Sequence, residues 1–141
     1  MTAPSNEGRH EEIDSAIKEW RQGDCVVGEH WLVHRFAANA PLTDDSLQVA
    51  TENAELVEVD VRGLAVLTQT CDIVRSCRER PFIEVAPLVE VETSDLEMIE
   101  SGRRPQYGFV PSLREQGLVA DLDRVMTVEK AVVASWDRTP G

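Results

Sequence analysis

Short apolar segments, interrupted by glycine and proline, dominate this chain from residue 22 onward. The clearest is the unbroken apolar run 64–67, which predicts a strand buried on both faces. Just before it, residues 56–61 alternate apolar and acidic side chains, which predicts a strand with one exposed face. In a chain of 141 residues, such short segments favour a small barrel or sandwich over an alternating α/β sheet. We therefore expect a mainly β fold with short helices.

One amphipathic helix is expected before the β segments, over residues 10–21. Its apolar residues recur every three or four positions: Ile13, Ala16, Ile17 and Trp20. Gly23 is expected to end this helix. Residues 1–9 are polar and are predicted to be flexible. No linker divides the rest of the chain, so 22–141 is predicted to be one β-barrel domain.

Charge and cysteine content limit the partners that we expect. The 14 basic residues are outnumbered by 26 acidic ones, and the net charge of −12 repels phosphate, so nucleic acid is not an expected partner. No apolar run approaches the roughly 20 residues that cross a bilayer, which predicts no membrane partner. The N-terminus lacks a signal-peptide pattern and the three cysteines are an odd number, so we expect a cytoplasmic protein. No nucleotide or metal-hydrolase motif occurs, and no cofactor is predicted.

A polar segment with a thiol follows the buried run directly, at a position where scaffolds commonly present functional groups. Six candidates lie there: Cys71 and Asp72 as catalytic groups, and Gln69, Thr70, Arg75 and Arg78 as binding groups. Positive charge from the two arginines would favour the thiolate of Cys71. The alternative is an ordinary strand end, with Cys71 filling the core and the arginines paired with the many acids of the chain.

A metal site is the weaker alternative for the cysteines and histidines. Cys25, His30 and His34 have the spacing C-x4-H-x3-H, and zinc accepts such mixtures of ligands. Cys71 and Cys77, together with His34, form a second candidate set. No C-x2-C pair occurs, and the two histidines share a face only on an unbroken strand. We therefore favour surface histidines without metal over a zinc site.

Five short motifs follow one another in a defined order. They are Gly23-Asp24, the segment 62–68, the segment 85–88 with its Pro87-Leu88 pair, Val110-Pro111, and a late segment, 121–130, that contains Asp, Thr and Lys. Across residues 22 to 134, this order resembles the PemK/MazF-like group of small SH3-like barrels. The resemblance implies a small SH3-like barrel preceded by the amphipathic helix.

The resemblance also bears on function. Toxins of that group are ribonucleases that use an arginine and a serine or threonine at an RNA groove between two subunits, and Arg62 matches that arginine as a catalytic candidate. The expected threonine is absent, since Val89 follows Pro87-Leu88. We therefore predict a non-catalytic accessory module that binds another protein, encoded nearby, in a bacterial defence or toxin–antitoxin-type system. Two alternatives stay open: a divergent endoribonuclease of this group, for which a homodimer is expected, and a thiol- or metal-dependent site at Cys71.

Overall fold

The computed structural model describes residues 6–141. The α helices of this part of the chain are α1 (Asn6–Ile17), α2 (Asp44–Val49), α3 (Thr70–Ile73), α4 (Thr93–Glu100) and α5 (Lys130–Ala134), and a 3-10 helix covers Pro111–Gln116. Its strands are β1 (Cys25–Arg35), β2 (Leu56–Val66), β3 (Phe82–Glu90), β4 (Tyr107–Gly108), β5 (Leu118–Asp121) and β6 (Met126–Glu129). None of the helices within residues 6–141 has the length and apolar character that a bilayer crossing requires.

The strands form one open antiparallel sheet. Its order is β1-β2-β3-β5-β4, and β6 also pairs with β3. The first half of β3 pairs with β6 and the second half with β5. The molecule is therefore a small mixed α/β protein with a six-stranded antiparallel sheet and short helices. The closed barrel is not shown, because no ladder joins β1 to β6 within the described residues.

Strand β2 confirms both patterns predicted for it. Val57 and Val59 are buried while Glu58 and Asp60 are exposed, as the alternation requires. Further along, Leu64, Ala65 and Val66 are all buried. This part of β2 is paired on both sides, with β1 and with β3, and packing covers both of its faces. The local pattern of apolar residues was therefore sufficient to predict this strand.

Helix α1 docks on the body of its own chain. It runs from Asn6 to Ile17, so it begins and ends about four residues before the expected helix, and residues 6–9 of the segment expected to be flexible are helical. Ile17 and Trp20 are buried in the main core beside Ile73 and Val133. The remainder of that segment, residues 1–5, lies outside the described residues. The apolar face of α1 is therefore used internally.

Gly23 does not end the helix, contrary to expectation. It lies six residues beyond Ile17, with a left-handed φ of +92°, and its N–H donates to the carbonyl of Val66 at 2.9 Å. A left-handed conformation favours glycine. Gly23 therefore turns the chain into β1 instead of capping α1.

The C-terminal tail adds to the same end of β1. Cys25 and Thr139 exchange two backbone hydrogen bonds, of 2.8 Å and 2.7 Å, in an antiparallel bridge. The buried carboxylate of Asp24 accepts hydrogen bonds from the guanidinium of Arg138 at 3.2 Å and from the N–H of Gly141 at 3.0 Å. The edge of β1 therefore accepts an extended segment of this same chain.

Stability should fall at high pH because of Cys25. Burial, reinforced by the nearby charge of Asp24, raises the pKa of Cys25 from an ordinary 9.0 to about 12. Between these values the unfolded state loses a proton that the folded state keeps, so the free energy of unfolding falls as pH rises. We expect thermal unfolding measured from pH 9 to pH 12 to decline less steeply in Cys25→Ala than in the unaltered chain.

The exposed thiol provides the matched control for this pH series. Cys71→Ala should keep the slope of the unaltered chain. Burial also raises the pKa of Cys77 and lowers the pKa of Lys130, but both groups remain in both variants. Equal slopes for Cys25→Ala and Cys71→Ala would contradict the assignment to Cys25.

Candidate functional site

The arginine candidates fall in two separate places. Arg62 is exposed on β2, and its guanidinium lies 3.0 Å from a carboxylate oxygen of Glu90, at the end of β3. Arg75 and Arg78 lie in the loop that precedes β3. Since a strand rises about 3.3 Å per residue, the two ends of β3 are roughly 25 Å apart. Arg62 therefore does not share a groove with the other two arginines.

The polar segment after the buried run forms α3, a single helical turn. Gln69 precedes it, and the hydroxyl of Thr70 accepts a hydrogen bond from the N–H of Gln22 at 3.0 Å. The thiol of Cys71 is exposed and lies 3.8 Å from the side-chain oxygen of Gln69. Thr70 thus ties the turn to the segment before β1, and Cys71 is not the core residue that the alternative reading expected.

Asp72 has basic neighbours, but they contact it loosely. One of its carboxylate oxygens lies 3.8 Å from the side chain of Arg75 and 3.9 Å from that of Arg80, and both arginines are more than half exposed. Exposed ion pairs of this kind contribute little to stability. Arg78 is exposed and has no ion pair within residues 6–141. The loop thus carries positive charge without an assembled catalytic group.

Sequence reasoning missed the residue that holds this loop. Lys130 is only 1% exposed, and its ammonium donates to the carbonyls of Asp72 at 3.1 Å and Arg75 at 2.8 Å. Burial lowers the pKa of Lys130, and the negative charge of Asp14 opposes that shift. The only sequence signal for Lys130 is that it ends the motif 121–130. Its ammonium binds backbone carbonyls at and just beyond the C-terminal end of α3, where a basic side chain can act as a cap.

The cysteines do not assemble a thiol or metal centre. Cys77 is buried, and its N–H donates to the carboxylate of Asp14 at 2.8 Å. Burial, followed by its interaction with Asp14, raises the pKa of Cys77, which disfavours the reactive thiolate. Cys25 is buried separately beside Gly23, and His34 lies on β1. Within residues 6–141 no three His, Cys, Asp or Glu side chains are grouped to hold a metal ion.

An apolar groove lies between β1, β6 and α5, with a volume of about 480 Å³. Its walls are formed chiefly by His30, Trp31, Val33, Met126, Val132 and Trp136. Leu64, the first residue of the apolar run of β2, also lines it. We refer to this feature as the groove. Concave apolar surfaces with a few polar groups are the usual form of binding sites.

Aromatic rings build one side of the groove. The ring of His30 packs edge-on against Trp136, with centroids 5.4 Å apart, and Trp136 meets Trp20 in the same manner at 6.3 Å. Trp31 is 53% exposed beside them. Exposed tryptophan in an apolar concavity marks interaction sites more often than it serves stability. Sequence analysis did not identify Trp31 as a candidate.

The groove exposes a strand edge as well as side chains. In an antiparallel ladder, alternate residues bond to the partner strand. Phe36 donates to the carbonyl of Glu55 at 3.0 Å, in register with the β1–β2 pairing, so the even-numbered residues of β1 face β2. The peptide groups of Trp31 and Val33 therefore point away from β2. The N–H of Val33 meets only the thioether of Met126, at 3.4 Å.

Comparison of the chain with protein-family models, curated proteins and solved structures finds no match. The groove and the residues that surround it are therefore the basis for a function.

Proposed function

We propose that this chain is a non-catalytic module that binds another protein through the groove. The observation that carries the proposal is the half-exposed Trp31 in an apolar concavity beside an unpaired strand edge. Protein interfaces commonly centre on aromatic anchors that enter or form such pockets. The wider role, as an accessory in a bacterial defence or toxin–antitoxin-type system with a partner encoded nearby, remains a prediction of the family resemblance.

Binding is favoured over catalysis because the catalytic candidates are scattered. RNA cleavage needs a base, an acid and a cationic track for the strand. Arg62 is paired with Glu90 and lies apart from Cys71 and Asp72, and the net charge is −12. The endoribonuclease alternative remains a prediction.

The SH3-like barrel is proposed here in an opened form. Strands β1, β2, β3 and β6 follow one another through three antiparallel ladders, and the groove lies where a fourth ladder, from β6 to β1, would close them. Such a closed set of strands would have no free edge. In the opened form, the gap between β6 and β1 is available to a partner.

Capture of a partner tests the proposed function. We expect full-length chain, immobilised and exposed to lysate of the native host, to retain a specific protein that Trp31→Ser loses by more than about tenfold, since central aromatic anchors contribute about 2 kcal/mol or more. Leu47→Ser is the matched control, because Leu47 is 59% exposed on α2, outside the groove. Both variants should unfold at nearly the same temperature as the unaltered chain.

Equal retention of the captured protein by Trp31→Ser and Leu47→Ser would contradict binding at the groove. If the unaltered chain, Trp31→Ser and Leu47→Ser all retain no specific protein, a protein-binding function is contradicted. A captured second copy of this chain, seen as a shift in size on gel filtration, would identify the homodimer as the complex.

Incubation with RNA tests the ribonuclease alternative separately. We expect RNA to stay intact with concentrated purified chain, because Arg62 is neutralised by Glu90. Cleavage that disappears in Arg62→Ala would instead support the endoribonuclease.

A further inference from the structure

We infer that the bound segment is an extended strand of alternating apolar and basic residues that adds to the outer edge of β1. This inference rests on the proposed function and specifies the ligand of the groove. It depends on three observations: the backbone groups of β1 that point outward, an extended segment already seated on that edge, and the charge around it.

The outer edge of β1 is open beyond the point where the C-terminal tail pairs with it. Thr139 bonds to Cys25 through two backbone hydrogen bonds, which shows that this edge takes an antiparallel extended segment. The register of β1 is irregular between Val27 and His30, and past that point β1 pairs with β2 alone in the described chain. A second segment therefore finds an open edge from His30 onward, with Trp31 near its start.

Met126 occupies the place that a partner's backbone would take. The N–H of Val33 has only a thioether sulfur at 3.4 Å, and sulfur is a weak acceptor. A peptide carbonyl is a stronger acceptor, and the methionine side chain is flexible enough to move aside. Strand addition of this kind supplies main-chain hydrogen bonds for affinity and pockets for alternate side chains.

The negative charge around the groove favours basic residues in the partner. On the outer face of the sheet, Asp60 lies opposite Trp31 and Glu58 lies opposite Val33. Both carboxylates are exposed, and so is Glu129 at the end of β6. Side chains of an added strand alternate between two faces. Trp31 and Val33 share the outer face with the carboxylates of Asp60 and Glu58. Side chains of the added strand that point to the opposite face, toward His30 and Trp136, would be apolar, and the intervening ones, on the acidic face beside Trp31, would be lysine or arginine.

An alternating peptide is the direct probe. We expect an eight-residue capped peptide of alternating valine and lysine, titrated into ¹⁵N-labelled full chain, to shift the amides of Trp31 and Val33. Methylating the backbone nitrogens of its lysines, which lie opposite Trp31 and Val33 in an antiparallel pairing, should weaken binding by about tenfold or more, because backbone hydrogen bonds are lost. Replacing its lysines with glutamate should abolish binding. Equal affinity of the methylated peptide, or no shift at these two amides at millimolar peptide, would overturn the inference.

A variant of the edge itself separates the binding mode from the proposed function. Val33→Pro removes an N–H that points away from β2, so the β1–β2 ladder keeps its bonds, and proline is tolerated on such edges. It should bind the valine–lysine peptide about tenfold more weakly than Val33→Thr, which changes the same side chain but keeps the N–H. If Val33→Pro fails to fold, the methylated peptide alone decides.

Retention of the captured host protein by these variants distinguishes a failure of strand addition from a failure of the groove as the binding site. Loss of that protein in Trp31→Ser with full retention in a folded Val33→Pro would uphold the groove and overturn strand addition. Full retention in Trp31→Ser would overturn the groove itself. We expect loss in both variants, full retention in Leu47→Ser, and stronger retention in Val33→Thr than in Val33→Pro.

Discussion

Gly63→Ala is expected to destabilise the fold by more than about 3 kcal/mol or to prevent folding. Gly63 has a φ of +143°, which favours glycine. An added Cβ would collide with the carbonyl oxygen of Val26, and it would lie 2.9 Å from a methyl carbon of Leu88. Gly63 is paired with Val27 in the β1–β2 ladder, so its backbone is not free to move away. Urea unfolding measures the loss.

Gly28→Ala provides the matched control for this clash. Gly28 has a comparable φ of +124°, but a Cβ there would meet nothing within 4 Å. Gly28→Ala should lower the free energy of unfolding by the cost of backbone strain alone, about 1–2 kcal/mol. Equal losses for the two alanine variants would contradict the close approach of β1 and β2 at Gly63.

Lys130→Met is expected to cost about 2–4 kcal/mol and to loosen residues 70–80. The change preserves most of the side-chain volume but removes the ammonium that donates to the carbonyls of Asp72 and Arg75. Removing a buried charge alone can be neutral, but here two backbone carbonyls also lose the hydrogen bonds that Lys130 donates, which decides the sign. Urea unfolding gives the cost, and amide hydrogen exchange locates it.

The chain has one other lysine, which provides the control. Lys18 is exposed after α1, so Lys18→Met should change stability by less than about 0.5 kcal/mol. If Lys130→Met and Lys18→Met unfold alike, or if exchange in residues 70–80 does not accelerate, Lys130 does not hold the loop.

Strand β2 was predictable because its pattern is local. Alternation in 56–61 and the apolar run 64–67 each reflect the burial of a few neighbouring residues. Helix α2 had no comparable signal: the stretch 37–53 lacks an apolar period, and the helix begins at a reciprocal cap between Thr43 and Ser46. A serine in place of the usual Glu or Gln at the third helical position makes that cap hard to recognise.

Barrel closure and the site could not be predicted in the same way. Whether β6 bonds to β1 depends on how segments about 90 residues apart meet, and no local pattern encodes that meeting. Trp31 was not identified, since the groove that it lines is completed by residues of β6 and α5 about 95 or more residues further along the chain. Lys130 looked like a surface lysine until its carbonyl partners, more than 50 residues away, were located.

Hydrogen exchange of the chain, free and in complex with its captured host protein, tests the proposed binding surface most directly. We predict slower exchange in 28–35 and 126–136, the segments that form the groove, and unchanged exchange in 69–80. Protection centred on 69–80, with the groove segments unchanged, would contradict binding at the groove and would place the interface at the loop that carries Cys71, Arg75 and Arg78.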